Sequence, residues 1–369
     1  MICKCVASYR FGNTTEGRAA VKRLLIFLAV LLLLSAETVF AEETSVEQQE
    51  AKHLGSLRQV TSGLPRAGEG YFSPDGKHII YQAYPIGYPF YQIYVQKLDE
   101  KTPRRISTGR GRTTCSYFSP DGKTIIFASG HTDPHADLTE KKARDLAAQG
   151  GRRRYQWDFD PYMDIYVCNF DGTELRRLTD AHGYDAEGSY SSDGKQIVFT
   201  SSRDGDPDIF IMNADGSHVR QITNVDGYDG GPFFSPDDKW IIFRSDRKKE
   251  HMLQLYAVSV DGTHEVQLTD NLNHVNWCPY FHPSGNYLVW SGADYSGDPR
   301  NAHFNLFTLE TSWTDTEFQG GRVTQITFSD RADVLPVFSP DGKKLMWTST
   351  RNEDKTSQLW IADWLRETK

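Results

Sequence analysis

Asp185, Asp229, Asn276 and Asp333 each stand five residues ahead of an aromatic residue that opens a tight turn, and Glu69 and Glu187 stand three ahead of two such aromatics. Acidic and amide side chains recurring at fixed offsets in a repeated unit converge if the units surround an axis. A ring of this kind offers hard oxygen ligands such as Ca²⁺ takes, or a negative mouth for a basic peptide. The same residue types also cap loop backbone groups without binding anything. No cofactor is required by the pattern, and Ca²⁺ is the ion it would suit. The acidic run from Ser202 to Asp208 lacks the later bidentate Glu of a Ca²⁺ loop and reads as a turn.

Two further constellations fall in connecting segments. His131, His135, His182, His274 and His303 are widely spread, with no paired ligand spacing, although Asp133 and Asp137 flank His135. Leu138 to Gln149 is rich in helix formers, has Asp137 or Thr139 available as an N-cap, and stops at Gly150-Gly151. Directly after it come Arg152, Arg153 and Arg154, then Tyr155 and Trp157. Arginines beside aromatic rings bind carboxylates in bidentate fashion, so this cluster and Tyr88 are candidate anchors for an acidic partner. In the plainer alternative the rings pin the segment down and the arginines pair with neighbouring acids.

Repeated turns position these residues. Phe72, Phe118, Tyr190, Phe234, Phe281 and Phe338 each open a Ser/Pro/Asp/Gly-type turn, at intervals of 46, 72, 44, 47 and 57 residues. Pro presets φ and Gly accepts positive φ, so each turn joins two strands. A third strand follows (Gln92 to Val95, Asp208 to Ile211), then a short fourth (Arg105-Ile106-Ser107, Arg177-Leu178-Thr179, Gln221-Ile222-Thr223). Four-strand units of roughly 40–45 residues are propeller blades, and longer intervals hold insertions. The last unit lacks a fourth strand, whereas Leu57 to Thr61 precedes the first turn with the same pattern. The expected fold is all-β: a six-bladed β-propeller closed by an N-terminal strand that completes the C-terminal blade, with a short helical insertion at about 131–161 in blade 2. The turns share one face of the ring, and the variable loops share the other.

Composition points to the compartment and to the class of partner. Aromatic residues make up 12% of the chain, hydrophobic residues 38%, and the net charge is −8, which suits large buried cores and disfavours nucleic acid. Lys22-Arg23, the apolar run Leu24 to Leu34 and the small-residue site ending at Ala41 have the anatomy of a signal peptide over 1–41. A short linker over 42–56 and a propeller over 57–369 then make up the exported chain. The apolar run is shorter than the ~20 residues of a bilayer span, so the mature chain is expected to carry no transmembrane segment and to be periplasmic or secreted. Cys3 and Cys5 would leave with the leader. Cys115 and Cys278 fall in opposed blades, beyond disulfide reach of each other, and with Cys168 are expected as free buried thiols.

The stretch from Phe199 to Thr223, with Ser-Arg-Asp-Gly, Asp-Ile-Phe-Ile-Met-Asn-Ala-Asp-Gly and Gln-Ile-Thr, resembles the propeller repeats of the periplasmic TolB proteins, and the likeness runs from Leu57 to Asp363. TolB proteins also carry an α/β domain ahead of the propeller, and here only about fifteen residues lie between the leader and the first strand. The resemblance implies a non-enzymatic, monomeric propeller that binds a protein partner in the cell envelope, in association with transport. Similar repeats occur in prolyl oligopeptidase-like enzymes, whose Gly-x-Ser-x-Gly hydrolase domain has no counterpart in the sequence, and in oligogalacturonate lyases. The alternative is therefore a carbohydrate-active propeller or sugar binder using the channel mouth, with a His-rich metal site implied by that second likeness. Fold alone does not choose between them.

Overall fold

The computed structural model describes residues 45–148, 159–298, 300 and 302–365. Among these, a five-residue helix α1 (Val46–Glu50) precedes strand β1 (Leu54–Gln59). Blade 1 then holds β2 (Ala67–Phe72), β3 (His78–Ala83), β4 (Gln92–Lys97) and β5 (Arg104–Arg105). Blade 2 holds β6 (Thr113–Phe118), β7 (Thr124–Ser129), β8 (Asp164–Asn169) and β9 (Arg176–Arg177), with helix α2 (Ala136–Ala148) between β7 and β8. Blade 3 runs through β10 (Asp185–Tyr190), β11 (Gln196–Ser201), β12 (Asp208–Asn213) and β13 (Arg220–Gln221). Blade 4 comprises β14 (Asp229–Phe234), β15 (Trp240–Ser245), β16 (Gln254–Ser259) and β17 (Glu265–Gln267). Blade 5 comprises β18 (His274–Phe281), β19 (Tyr287–Asp294), β20 (Asn305–Trp313) and β21 (Phe318–Gln325). In blade 6, β22 (Asp333–Phe338), β23 (Lys344–Ser349) and β24 (Gln358–Trp364) are completed by β1, giving six four-stranded antiparallel sheets.

The closing strand pairs Leu54 with Trp364 and Gln59 with Trp360. It ends earlier than the Leu57–Thr61 pattern suggests, and the other blades show why. In each blade the Ser or Thr of the repeat lies just beyond the short fourth strand and accepts a hydrogen bond from the backbone N–H of the third. The bonds are Ile93 to Ser107 (3.0 Å), Ile165 to Thr179 (2.9 Å), Ile209 to Thr223 (3.0 Å), Leu255 to Thr269 (2.9 Å), Leu306 to Thr327 (2.9 Å) and Leu359 to Thr61 (2.9 Å). The repeat thus marks the strand's exit, where a hydroxyl satisfies a backbone donor that the ladder has left behind.

The turns are stabilised just as locally. Ser73 donates to Asp75 at 2.6 Å, and Asp75 in turn accepts from the N–H of Lys77 at 3.0 Å. Equivalent Ser–Asp bonds recur at Ser119, Ser191, Ser235 and Ser339, while in blade 5 His282 and Ser284 make the substitute contact at 2.8 Å. Gly76 holds φ 68° at the tip. Second and third strands are buried on both faces, because each blade stacks between two others. Their runs are accordingly almost continuously apolar, as in Ile79, Ile80 and Tyr81, all at 0% exposure.

Helix α2 begins at Ala136, ahead of the expected Leu138, because Asp133 accepts the N–H of His135 at 2.7 Å and starts the turn earlier than either expected cap. No helix among the described residues is long and apolar enough to cross a membrane.

Candidate functional site: an axial recess

All six innermost strands break register at the equivalent place: between the second and fifth residues in blades 2, 3, 4 and 6, between Trp277 and Tyr280 in blade 5, whose strand starts two residues earlier, and between Gly68 and Gly70 in blade 1. The residue at the break takes positive φ in each: Glu69 (45°), Cys115 (52°), Glu187 (58°), Gly231 (61°), Cys278 (56°) and Leu335 (57°). Five of the six carry a side chain into a region that costs L residues on the order of 1–2 kcal/mol. Such a bulge re-aims a side chain, and here it turns the six third-position residues towards one recess. That recess is open to solvent.

Its floor comes from the fifth positions. Tyr71 meets Tyr117 edge-on with centroids 5.0 Å apart, Phe233 meets Tyr280 at 5.0 Å, and Tyr71 and Phe233 lie 5.9 Å apart. The Tyr117 and Tyr280 hydroxyls bond at 3.1 Å. Since the innermost strands run towards the Ser-Pro-Asp-Gly turns, these rings obstruct the channel on the turn side. The remaining approach is from the loop-rich face.

The polar wall is built around Arg244, which pairs across the β14–β15 ladder with Gly230. Its Nη2 donates to Glu187 at 2.9 Å and to the Tyr228 hydroxyl at 2.7 Å. Glu187 also accepts from Tyr228 (2.8 Å), Thr200 Oγ1 (2.9 Å) and the Gly231 N–H (2.6 Å). The guanidinium lies 5.5 Å from the centre of the Tyr228 ring and 5.9 Å from that of Trp277. Gly231 is required here, because a Cβ would stand 1.6 Å from Arg244 Nη1.

Glu69 faces this pair from blade 1. Burial pushes its carboxyl up to about 7, and the charge of Glu187 adds to the rise, while a hydrogen bond with the Cys115 thiol and the charge of Arg244 act against it. Burial likewise raises the Cys115 and Cys278 thiols well above their ordinary value, which keeps both as neutral thiols. Both are free and buried, as is Cys168. Two buried polar atoms of residues beside the recess, Ser116 Oγ and Arg244 Nε, have no hydrogen-bond partner among the described residues.

The six-residue ring read from the sequence therefore divides. Glu69 and Glu187 line the recess, whereas Asp185, Asp229, Asn276 and Asp333 are turned into the blades. Asp185 receives Arg203 through both oxygens at 3.1 Å, Asp229 receives Arg247 at 2.5 Å, and Asp333 receives Arg351 at 2.5 Å. Arg351 also bonds both oxygens of Glu50 from α1 at 2.7 Å. Asn276 accepts from Trp290 Nε1 at 2.9 Å and donates to Gln254 at 3.1 Å. These first-position side chains precede the bulge, so they keep the ordinary strand alternation and face their own blade.

Tyr88 is also held within the fold. It donates to Glu140 of α2, and the guanidinium of Arg144 lies 5.7 Å from its ring centre, so it fastens the insertion to blade 1. Arg152, Arg153, Arg154, Tyr155 and Trp157 lie outside the described residues. The end of the insertion returns beside the recess, where the Phe159 ring lies 5.9 Å from that of Tyr228. His131 contacts Ser129 Oγ at 2.9 Å and His274 lies 3.5 Å from Asp294. Among the described residues no three His, Cys, Asp or Glu side chains are grouped as a metal site would need.

Arg244 and Ser116 were not foreseen from the sequence. A single Arg inside the apolar run Trp240-Ile-Ile-Phe-Arg-Ser245 was the available signal for the first, and Ser116 carries none.

The TolB beta propeller domain family matches residues 160–291 and 202–316. Among solved structures, putative TolB from Agrobacterium tumefaciens is similar at TM-score 0.52 and 20% identity, covering 82% of this chain and 91% of that one. TolB from Acinetobacter baumannii is similar at TM-score 0.51 and 18% identity, over 82% of this chain and 64% of that one. An oligogalacturonate lyase in complex with manganese aligns at TM-score 0.48 and 15% identity, over 86% of this chain and 95% of that one. A search of curated proteins found no match. With the repeats and the ring closure in agreement with that likeness, the chain is a six-bladed β-propeller whose residues 160–316 match the TolB beta propeller domain.

Proposed function

We propose that this chain is an exported, non-enzymatic binding propeller that holds a protein partner in the periplasm or cell envelope through its loop-rich face. The observation that carries the reading is the axial recess, obstructed by aromatic rings on the turn side and approached from the side of the variable loops. A rigid ring presenting loops around a central pocket binds with little reorganisation, which favours affinity. In this reading Arg152, Arg153, Arg154, Tyr155 and Trp157 supply contacts to the partner, and no cofactor takes part.

The test is photo-crosslinking in an envelope fraction with the reactive residue at Ile86, which is 80% exposed on the loop side, or at the exposed Pro74 on the turn side. Adducts at position 86 and not at 74 are expected. Equal labelling of both faces, or chelator-sensitive cleavage of uronic-acid oligomers by the purified protein, would overturn the proposal.

A further inference from the structure

The 57-residue interval before the last turn lengthens every strand of blade 5, the outermost most of all. The outermost strands of blades 1 to 4 are two or three residues long, whereas β21 runs for eight and ends its sheet, with no described strand paired beyond it. Gln319 to Val323 are exposed, Val323 at 53%. The closing strand β1 is the other long outer strand, but its register shifts where Ser56 takes φ 51°, and Arg58 lies along it.

Two bonds at its ends fix which backbone groups of β21 face outwards. The Ile326 N–H donates to the Leu306 carbonyl at 2.7 Å, and the Thr314 N–H donates to the Glu317 carbonyl at 2.8 Å. Pairs along an antiparallel ladder alternate between bonded and non-bonded, and the register shifts where Gly321 and Arg322 together oppose Glu310. Phe318, Gly320, Val323 and Gln325 therefore aim their N–H and carbonyl groups away from β20. Natural sheet edges are blunted by Lys, Pro, inward charges or a bulge. From Phe318 to Gln325 there is no Lys, Pro, Asp or Glu, and the bulge leaves outward groups on both sides of it.

The edge is also held in place. The turn of its hairpin folds onto blade 4, where Trp240 Nε1 donates to the Thr314 carbonyl at 2.8 Å, Trp313 Nε1 to Asp237 at 3.0 Å and Lys239 Nζ to Asp315 at 2.5 Å. Phe318 is 5% exposed and stacks on Trp313 with centroids 5.4 Å apart. An edge already fixed in extended form adds a further strand at little conformational cost.

We propose that β21 is a docking edge for an extended, uncharged segment of a partner protein, which adds to blade 5 as a fifth strand. Val323 lies on the same face as Leu309, so an apolar side chain of the incoming strand finds a neighbour there. Arg322, the one charge on the strand, already bonds Glu310 at 2.9 Å, which leaves no free counter-charge for a charged segment. A second folded copy is the poorer occupant. An edge of eight residues is about 27 Å long and about 10 Å thick, or about 270 Å², against the roughly 800 Å² per partner of a stable interface. This contact lies on the rim of the ring, separate from the loop-rich face.

Amide hydrogen exchange of the full chain, with and without the peptide acetyl-Thr-Val-Thr-Val-Thr-Val-Thr-amide at millimolar concentration, tests this. Exchange at Gly320, Val323 and Gln325 is expected to slow by about tenfold, with Arg220 and Gln221 in the outer strand of blade 3 unchanged. Val323→Pro removes an outward N–H that the ladder with β20 does not use, so it should abolish the protection while the melting temperature stays near wild type. Val323→Thr keeps that N–H and should retain the protection. The same peptide with Glu or Lys in place of each Thr should protect severalfold less. Undiminished protection in Val323→Pro, equal protection by the charged peptides, equal protection of the other outer strands, or none at all would overturn the proposal. Protection that grows with protein concentration in the absence of peptide would also overturn it, by assigning the edge to a second copy.

Discussion

Two sets of acidic residues occupy positions two residues apart on the innermost strands, meeting on one strand only at Asp185 and Glu187, and they behave oppositely. In the outer ring Asp185, Asp229 and Asp333 each receive an arginine from the loop that follows the next strand, and all three are at most 1% exposed. In the inner ring Arg244 bonds Glu187 and acts on Glu69 only through its charge, and among the described residues Ser116 Oγ and Arg244 Nε have no partner. The first arrangement joins strands through charged pairs, although Asp229 Oδ1 has no partner among the described residues, while in the second Glu69 is left without an arginine of its own. Identical residue types become structural or available according to whether a bulge lies between them and the ladder.

Breaking the outer ring should have the largest effect. Arg351→Met strands both Asp333 and Glu50, so denaturant unfolding should show a loss of about 3–5 kcal/mol, the usual result of removing one partner from a buried ion pair. A loss below 1 kcal/mol would mean that these pairs do not hold the closing strand.

The inner ring should respond with the opposite sign. Glu69 stands at about 7 in the folded protein against 4.5 as its ordinary value, so the folded state holds this proton more tightly than the unfolded chain does. Its contribution is present below about pH 4.5 and is lost as pH rises through 7. Glu69→Gln should therefore gain on the wild type as pH rises, by up to about 3 kcal/mol at pH 8. A stability difference that does not change between pH 5 and pH 8 would contradict this placement of Glu69.

Gly231→Ala should cost about 1–3 kcal/mol, from a Cβ against Arg244 and from positive φ. A much smaller cost of the same change in an Arg244→Ala background would attribute it to the collision; strain in φ would persist there. The smallest pair of effects contrasts two hydroxyls. Thr223→Ala removes a bond to the Ile209 N–H and one to Asp208, and should lose about 1–2 kcal/mol. Ser116→Ala removes an unpaired hydroxyl and should be neutral or slightly stabilising.

Much of the scaffold was legible from the chain alone. Ser-Pro-Asp-Gly turns bond within themselves, and the Thr of each Ile-Thr exit acts within one blade, so short motifs carried the blade count and the closing strand. The outer-ring pairs were legible too, had the spacing been followed: Arg203, Arg247 and Arg351 each stand 18 residues after their aspartates. Arg244 was harder to place, because its partner Glu187 comes from another blade, 57 residues away.

The sequence by itself determined the repeat, the turn chemistry and the order in which strands pair, since each depends on residues close along the chain. Only the tertiary structure decided which carboxylates face the axis, that four rings obstruct the channel, and that Ser116 and Arg244 end with unspent donors. Those outcomes depend on bulges that reverse the strand's alternation, and on six distant strands meeting at one point, which no local pattern encodes.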